Sequence, residues 1–281
     1  MVEQSFWEML RTKRDSLTKS GGIVADYLVQ HAEDAQYLSI SSLANACGVA
    51  EATIFRFCRS LGFDGYNEMK IALAKATATA MPVALKLEPG VDTQTLVTHA
   101  YNTAVEALNG TRSVLDPDAI DHAATLLQRA RQVYCLGQGG SQVLAEDIWA
   151  RFSMISTKFR TAGDSHMQVM AASLMTEEDV VLFVSYSGAT RDMIETLRTA
   201  KAAGAKIILI THYEDSPGAK LADIVLLCGA QENPLDSGSI PIKVAVLYVA
   251  EVLLLRYMRD DQQQTNEAQD RTTEALAVKM L

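Results

Sequence analysis

Two short stretches of the chain combine glycines and hydroxyls at a spacing that suits anion binding. GQGGS at residues 137–141 sets Gly137, Gly139 and Ser141 between an apolar run and a helical one, and SYSGAT at 185–190 sets Ser185, Ser187, Gly188 and Thr190 in the same context. Glycine lets the backbone approach a ligand closely, and a helix that starts there offers unpaired N–H groups and a positive dipole end, so phosphate is the expected guest. Hydroxyls add short hydrogen bonds without adding charge. The alternative use of Ser187 or Thr190 is to cap its own helix. The first loop is also half of a dinucleotide fingerprint, but the third glycine would fall on Gln142 and the acidic candidate, Asp164, is badly spaced. His166 follows the second apolar run, His212 the fourth, and Glu232 lies beyond the fifth. A histidine at such a place can bond ligand hydroxyls or act as a base, and His166 and Glu232 are taken as candidate ligand contacts. His31, His99 and His122 fall in helical stretches without partners, and Met167, Met170 and Met175 read as core filler.

These loops need a sheet to hold them. Apolar runs at 132–136, 158–162, 180–185, 206–211 and 223–228 are short, rich in β-branched or aromatic residues, and separated by one helix length each. That pattern predicts a parallel sheet covered by helices on both faces, with ligands bound beyond the carboxyl ends of its strands. Helical stretches at 95–108 and 117–129 lead into it. Residues 6–80 are instead helical throughout, with apolar positions such as Leu10, Leu17, Val24 and Leu28, then Ile40, Leu43 and Ala44, then Ile54, Phe57 and Leu61. Ser39 or Ser41 can cap the helix that Gly48 ends. ATATAMPVALKLEPG at 76–90 has linker composition. The expected organisation is therefore a helical domain at 1–80, a linker and lead-in helix at 81–115, a sheet domain at 116–259, and a polar tail or terminal helix at 260–281.

Composition bounds the function. The 281 residues allow two domains at roughly 100 to 200 residues each. Twenty-five Lys and Arg against 34 Asp and Glu, a net charge of -9, argue against coating nucleic acid or anionic membrane through bulk charge. The acidity is uneven: residues 1–80 hold 8 basic and 9 acidic side chains, residues 81–281 hold 17 and 25. Cys47, Cys58, Cys135 and Cys228 show no metal-ligand or disulfide spacing and read as buried groups in a reducing compartment. The most apolar stretch, 240–258, carries Lys243, Glu251 and Arg256. It falls short of the ~20 apolar residues of a membrane span and is expected to pack on the sheet or to offer a self-pairing surface. The first residues lack a signal peptide's apolar run, so a cytoplasmic location is expected.

The motifs now carry a resemblance. GxGxS, SYSGAT, and AKAAGAKIILIT leading into SPGAKLADIVL resemble the SIS (sugar isomerase) domain, known for binding phosphosugars. SISSLANACGVAEATIFRFCRSLGFDGYNEMKIALA, at 39–74, resembles the N-terminal helix-turn-helix of the RpiR/MurR family of bacterial transcription regulators. Together they span residues 6–258 in that family's order. The resemblance implies an all-α helix-turn-helix domain plus a three-layer α/β SIS domain with a five-stranded parallel sheet. It further implies operator DNA and a phosphorylated sugar effector as partners, self-association as dimer or tetramer, and neither enzyme activity, cofactor nor metal. In a helix-turn-helix the second helix enters the major groove. On residues 51–61, Ile54, Phe57, Cys58 and Leu61 form the inward stripe, which leaves Glu51, Ala52, Phe55, Arg56 and Arg59 facing out. Arg56 suits guanine O6 and N7 or a phosphate, Phe55 a thymine methyl, and Thr53 and Lys70 phosphates. The chain departs from the family at two places: Ala50 replaces a Ser or Thr cap, and the pair Ile155–Ser156 replaces a glycine after the first SIS helix. The competing functions are a protein-interaction module with solvated arginines and a phosphosugar isomerase with an accessory helical domain. For the isomerase, only His166, His212 and Glu232 offer themselves as acid or base.

Overall fold

The computed structural model describes residues 6–78, 90–229, 240–260 and 262–279; Glu232 and the linker residues 79–89 lie outside them. The described chain divides into two compact units, with the division between Thr103 and Ala104.

The first unit is helical. Its elements are α1 (Phe6–Lys13), a single 3-10 turn (Arg14–Ser16), α2 (Lys19–Gln30), α3 (Ala32–Ala35), α4 (Ile40–Cys47), α5 (Glu51–Leu61) and α6 (Tyr66–Ala78). Local chemistry sets the ends. Ser39 caps α4 by accepting from the Ser42 N–H at 3.0 Å, and Gly48 ends it at φ +65°, a conformation costly for any residue with a Cβ. Ala50 takes the cap position of α5 in extended conformation and, having no acceptor, leaves that end uncapped. A different bond steadies it: Ser41 Oγ donates to Glu51 Oε1 at 2.6 Å, pinning the first residue of α5 to α4. The core gathers Phe6, Leu10, Val24, Leu28, Leu43, Ile54, Phe57, Cys58, Leu61 and Met69, the whole expected inward stripe of α5 among them. Burial pushes the Cys58 thiol up to about 12, so it packs as an inert apolar group.

The second unit holds the sheet. α7 (Thr93–Val114) straddles the division and outruns the expected helix at both ends, started by Asp92, which accepts from the Thr95 N–H at 2.9 Å. α8 (Pro117–Arg129) starts with Asp116 as cap and Pro117 in its first turn. Then β1 (Gln132–Gly137), α9 (Gly140–Ser153), β2 (Phe159–Thr161), α10 (Ser165–Ser173), β3 (Asp179–Val184), α11 (Arg191–Ala202), β4 (Lys206–Thr211) and β5 (Ile224–Leu227) alternate, followed by α12 (Ile240–Asp260) and α13 (Gln262–Ala277). All pairings are parallel, in the order β2-β1-β3-β4-β5. Because successive side chains point to opposite faces, Val180, Leu182 and Val184 pack with α8, α9 and α12 while Val181 and Phe183 pack with α10 and α11. Every residue of β3 is buried, and each of its apolar side chains, Val180 to Val184, contributes ~1.5–3 kcal/mol.

The structure bears on three expectations. The stretch 240–258 packs: Ile242, Ala245, Val246, Val249, Ala250 and Leu253 of α12 are buried beside α8 and α9. Of the methionines read as core, Met175 is buried, but Met167 and Met170 are exposed because the buried side of the short α10 carries Gln168 and Ala172. The polar C-terminal stretch forms a helix, α13. Among the described residues no helix is long and apolar enough to cross a membrane.

Two stability effects follow. Ala50→Ser supplies the missing cap in a backbone already extended there and should raise stability by ~1 kcal/mol in urea unfolding; no gain would mean that the Ser41–Glu51 bond already does that work. At Gly137 a Cβ would lie 2.5 Å from the Ser141 carbonyl oxygen, whereas at Gly140 it would meet open space. Gly137→Ala should therefore cost ~1–3 kcal/mol and Gly140→Ala little, and equal midpoints would refute the close turn.

Candidate functional site

The carboxyl ends of β1 and β3 lie side by side, with Gly137 opposite Val184. From β1 the chain crosses to β2 on one side, and from β2 it returns to β3 on the other, so the loops after β1 and β3 flank the point where strand order reverses. Parallel sheets open a crevice there.

Within the first loop the glycines divide their work. Gly137 belongs to the scaffold, its N–H bonded to Gln142 Oε1 at 3.1 Å and its Cα pressed against the first turn of α9. Gly139, at φ +56°, is the exposed cap of α9 and has open space around it. Ser141 follows half-buried in the first turn, where its N–H donates to the Gln138 carbonyl oxygen and that of Gln142 to the Gly139 carbonyl oxygen, each at 3.1 Å. In the second loop Ser185 is buried and its Oγ accepts from the Gly188 N–H at 3.2 Å, while Ser187 Oγ accepts from the Ala189 N–H at 3.3 Å. Gly188, at φ +57°, donates nothing to the next loop but accepts from the Gly218 N–H at 2.8 Å, and a Cβ on it would overlap Ser216 Oγ. Thr190 stands at the cap of α11, exposed, with no side-chain cap bond. Capping thus does not occupy the Thr190 hydroxyl, and Ser187 and Thr190 face solvent at a helix start.

The histidines part company. His166, in the first turn of α10, lines a cleft of about 190 Å³ with Ser165, Asp192 and Glu195. His212 is tied into the sheet: Nδ1 lies 2.8 Å from the Cys228 carbonyl oxygen, and the ring stacks on Tyr186 at 5.1 Å. A carbonyl only accepts, so Nδ1 carries the proton. Among the described residues no group of three His, Cys, Asp or Glu is arranged to hold a metal.

A pair of glutamines was not anticipated. Gln142 Oε1 accepts from Gly137 N–H and from Gln168 Nε2, and Gln142 Nε2 donates to Thr161 Oγ1 at 3.2 Å and Glu146 Oε1 at 2.9 Å. Gln168 Nε2 also donates to the carbonyls of Gly137 at 2.7 Å and Ala162 at 3.1 Å. These two buried amides lock the ends of β1 and β2 to α9 and α10. The signal was present in the absence of a glycine at 142, where an amide fills the space that a dinucleotide fingerprint leaves open.

On the helical unit, Ala52, Phe55, Arg56 and Arg59 are exposed on α5 and Thr53 is half-exposed. Glu51 is turned toward α4 by its bond to Ser41. Arg59 pairs with Asp64 and sits 5.7 Å from the Phe55 ring centroid. Arg56 donates to Thr53 Oγ1 at 3.3 Å and, with Thr18, Ser20 and Ser60, lines a cleft of about 350 Å³ between α2 and α5. Lys70 is half-buried on α6.

Comparison with known proteins joins these observations. Residues 5–80 match the helix-turn-helix domain of the rpiR family and residues 126–256 match the SIS domain. An HTH-type transcriptional regulator of Caldanaerobacter subterraneus subsp. tengcongensis is 31% identical over 277 residues, 97% of each chain. The HTH-type transcriptional regulator RpiR of Escherichia coli K12 is 33% identical over 80% of this chain and 77% of its own. The structure of the Vibrio vulnificus NanR protein complexed with ManNAc-6P superposes with a TM-score of 0.89 at 25% identity, covering 98% of this chain and 99% of that one. The chain therefore belongs to the RpiR family of transcriptional regulators, with an N-terminal helix-turn-helix and a C-terminal SIS domain.

Proposed function

We propose that this regulator binds operator DNA through α5 and its neighbours, and that its SIS domain takes a phosphorylated sugar whose binding alters that interaction. The observation that carries the effector reading is the register of β1 and β3, which sets two hydroxyl- and glycine-bearing loops side by side at the strand-order reversal. Gly139, Ser141, Ser185, Ser187, Gly188 and Thr190 form the anion seat in this reading, and Gly137 shapes it from beneath. His166, beside Asp192 and Glu195, serves sugar hydroxyls. Glu232 keeps the role expected from its place beyond the fifth strand. The solved NanR relative, complexed with ManNAc-6P, supports a phosphosugar as the ligand class.

On the DNA side, Ala52, Phe55 and Arg56 present the exposed face of α5, with Thr53, Arg59 and Lys70 placed toward phosphates. One such helix reads only a few base pairs, so a dimer or larger assembly on paired half-sites is part of the proposal. Effector and operator are linked through the differential affinity of the effector for two DNA-binding geometries, and the coupling is reciprocal. An isomerase needs a base aimed at the sugar. His212 is held in one orientation, its Nδ1–H directed at Cys228 O and its ring stacked on Tyr186, so that Nε2 is the nitrogen left to act as a base. Purified protein that turned over a phosphosugar at enzyme-like rates, yet failed to retard DNA from its own upstream region, would refute the regulator reading.

Two variants test the residues. Replacing Ser185, Ser187 and Thr190 together by Ala should abolish the thermal shift given by the active member of a sugar phosphate panel and leave DNA retardation intact; an unchanged shift would move the anion elsewhere. Arg56→Ala should weaken binding to the selected operator by ~1–3 kcal/mol with relaxed preference at one base pair. A uniform loss across all sequences would assign Arg56 to a phosphate, and no loss would remove it from the interface.

A further inference from the structure

At the sheet edge opposite these loops, a cavity of about 500 Å³ opens between the end of α8, the connection from α9 to β2, the last turn of α12 and the start of α13. Its size falls within the ~300–1,000 Å³ range of small-ligand sites. The lining is polar, supplied by Gln128, Ser156, Lys158, Tyr257, Asp260 and Thr265.

The charge balance inside is uneven. Lys158 Nζ donates to the Gln128 carbonyl oxygen at 2.9 Å and lies 5.4 Å from the Tyr257 ring centroid, and among the described residues it makes no ion pair. Burial holds its ammonium below the ordinary lysine range. The cavity's one carboxylate among the described residues, Asp260, is already engaged by Arg256 in the preceding turn. An ammonium has three N–H donors, and the bond to Gln128 accounts for one of them. A partly desolvated cation without a counter-charge is costly, and an anion placed beside it would offset that cost. Ser156 and Thr265 border the same space, as does Tyr257, whose ring packs against Phe152 and Phe159 and lies beside Lys158 Nζ.

We propose that this cavity is a second small-ligand site, separate from the strand-end loops, which takes an oxyanion joined to a compact apolar or ring-shaped body. The oxyanion pairs with Lys158 and accepts from the flanking hydroxyls, while the body lies against Tyr257. Ser156 belongs to the Ile155–Ser156 pair that departs from the family's glycine, and that departure places a hydroxyl at the cavity wall. A ligand here would bridge α8, the α9–β2 connection, α12 and α13, and so would hold the terminal helix onto the sheet domain.

The full-length chain tests this with three probes, benzoate, acetate and inorganic phosphate, each against sodium chloride at equal ionic strength. The rate of reductive methylation at Lys158, followed by peptide mass spectrometry, should fall several-fold with benzoate, and further than with acetate, while exposed Lys201 is unaffected. Phosphate protecting as strongly as benzoate would place a bare oxyanion in the site and overturn the ring-bearing part of the proposal. The thermal shift given by benzoate should vanish in Lys158→Met, which keeps the stem and removes the charge, and persist in the Ser185, Ser187 and Thr190 triple-Ala variant. Equal Lys158 labelling with and without all three probes overturns the site, as does a shift that persists in Lys158→Met or vanishes in the loop variant. Should Lys158→Met fail to fold, the labelling of the wild-type chain still decides.

Discussion

The parallel pairing of β1 with β3 constrains everything else in the SIS domain, because it sets Gly137 opposite Val184 and so makes neighbours of two loops that lie far apart in sequence. That pairing survives only if both faces of β3 are covered, which the wholly buried strand achieves through α8, α9 and α12 on one side and α10 and α11 on the other. The register alone would not hold the first loop in a fixed shape. The Gln142 and Gln168 amides do so by engaging both the N–H and the carbonyl of Gly137 and reaching on to Thr161 and Ala162. Buried amides of this kind are rigidifying when paired and costly when half satisfied, and here Gln142 is engaged at both its oxygen and its nitrogen while Gln168 Oε1 is buried without a partner among the described residues. In the proposed function, a ligand seat that must keep its shape when empty benefits from the rigidity that these bonds supply.

The helical unit answers a different constraint with fewer parts. In the proposed DNA-binding role α5 has to keep its outer face accessible, so its position depends on its inner stripe and its ends. Ile54, Phe57, Cys58 and Leu61 anchor the stripe, and Gly48 and Gly62 end the two helices in left-handed geometry. The start of α5 lacks its cap, and Glu51 is drawn toward Ser41 in compensation. An acidic side chain in the first turn also complements the helix dipole. The consequence is that Glu51, outward by helical spacing, faces its own domain.

Periodicity and spacing revealed much of this. All five strands, the two loop motifs, the inward stripe of α5 and the Gly48 turn follow from the order of apolar and breaker residues, because those signals are local. What stayed hidden depends on side chains meeting across the fold. The glutamine lock joins residues 26 positions apart, and the missing glycine at 142 does not point to Gln168 as the partner. The stacking of His212 on Tyr186 arises only when β3 and β4 pair. The exposed Met167 and Met170 were hidden for another reason: α10 is one of the shorter helices, and over so few turns a run of methionines shows no clear face.

The uneven charge of the chain fits this division of labour. Residues 1–80 are close to neutral, with 8 basic and 9 acidic side chains, whereas residues 81–281 carry 17 and 25. Arg59, one of few cations on α5, is already paired with Asp64. Each phosphate neutralised by a Lys or Arg contributes about one unit of salt slope, so a single helical unit in the proposed role has little electrostatic affinity to draw on. Linking two such units raises the effective concentration of the second contact without any new interaction. Under the proposed function, operator affinity therefore rests on assembly more than on charge, and an effector that changes the spacing of paired units acts on the quantity to which binding is most sensitive.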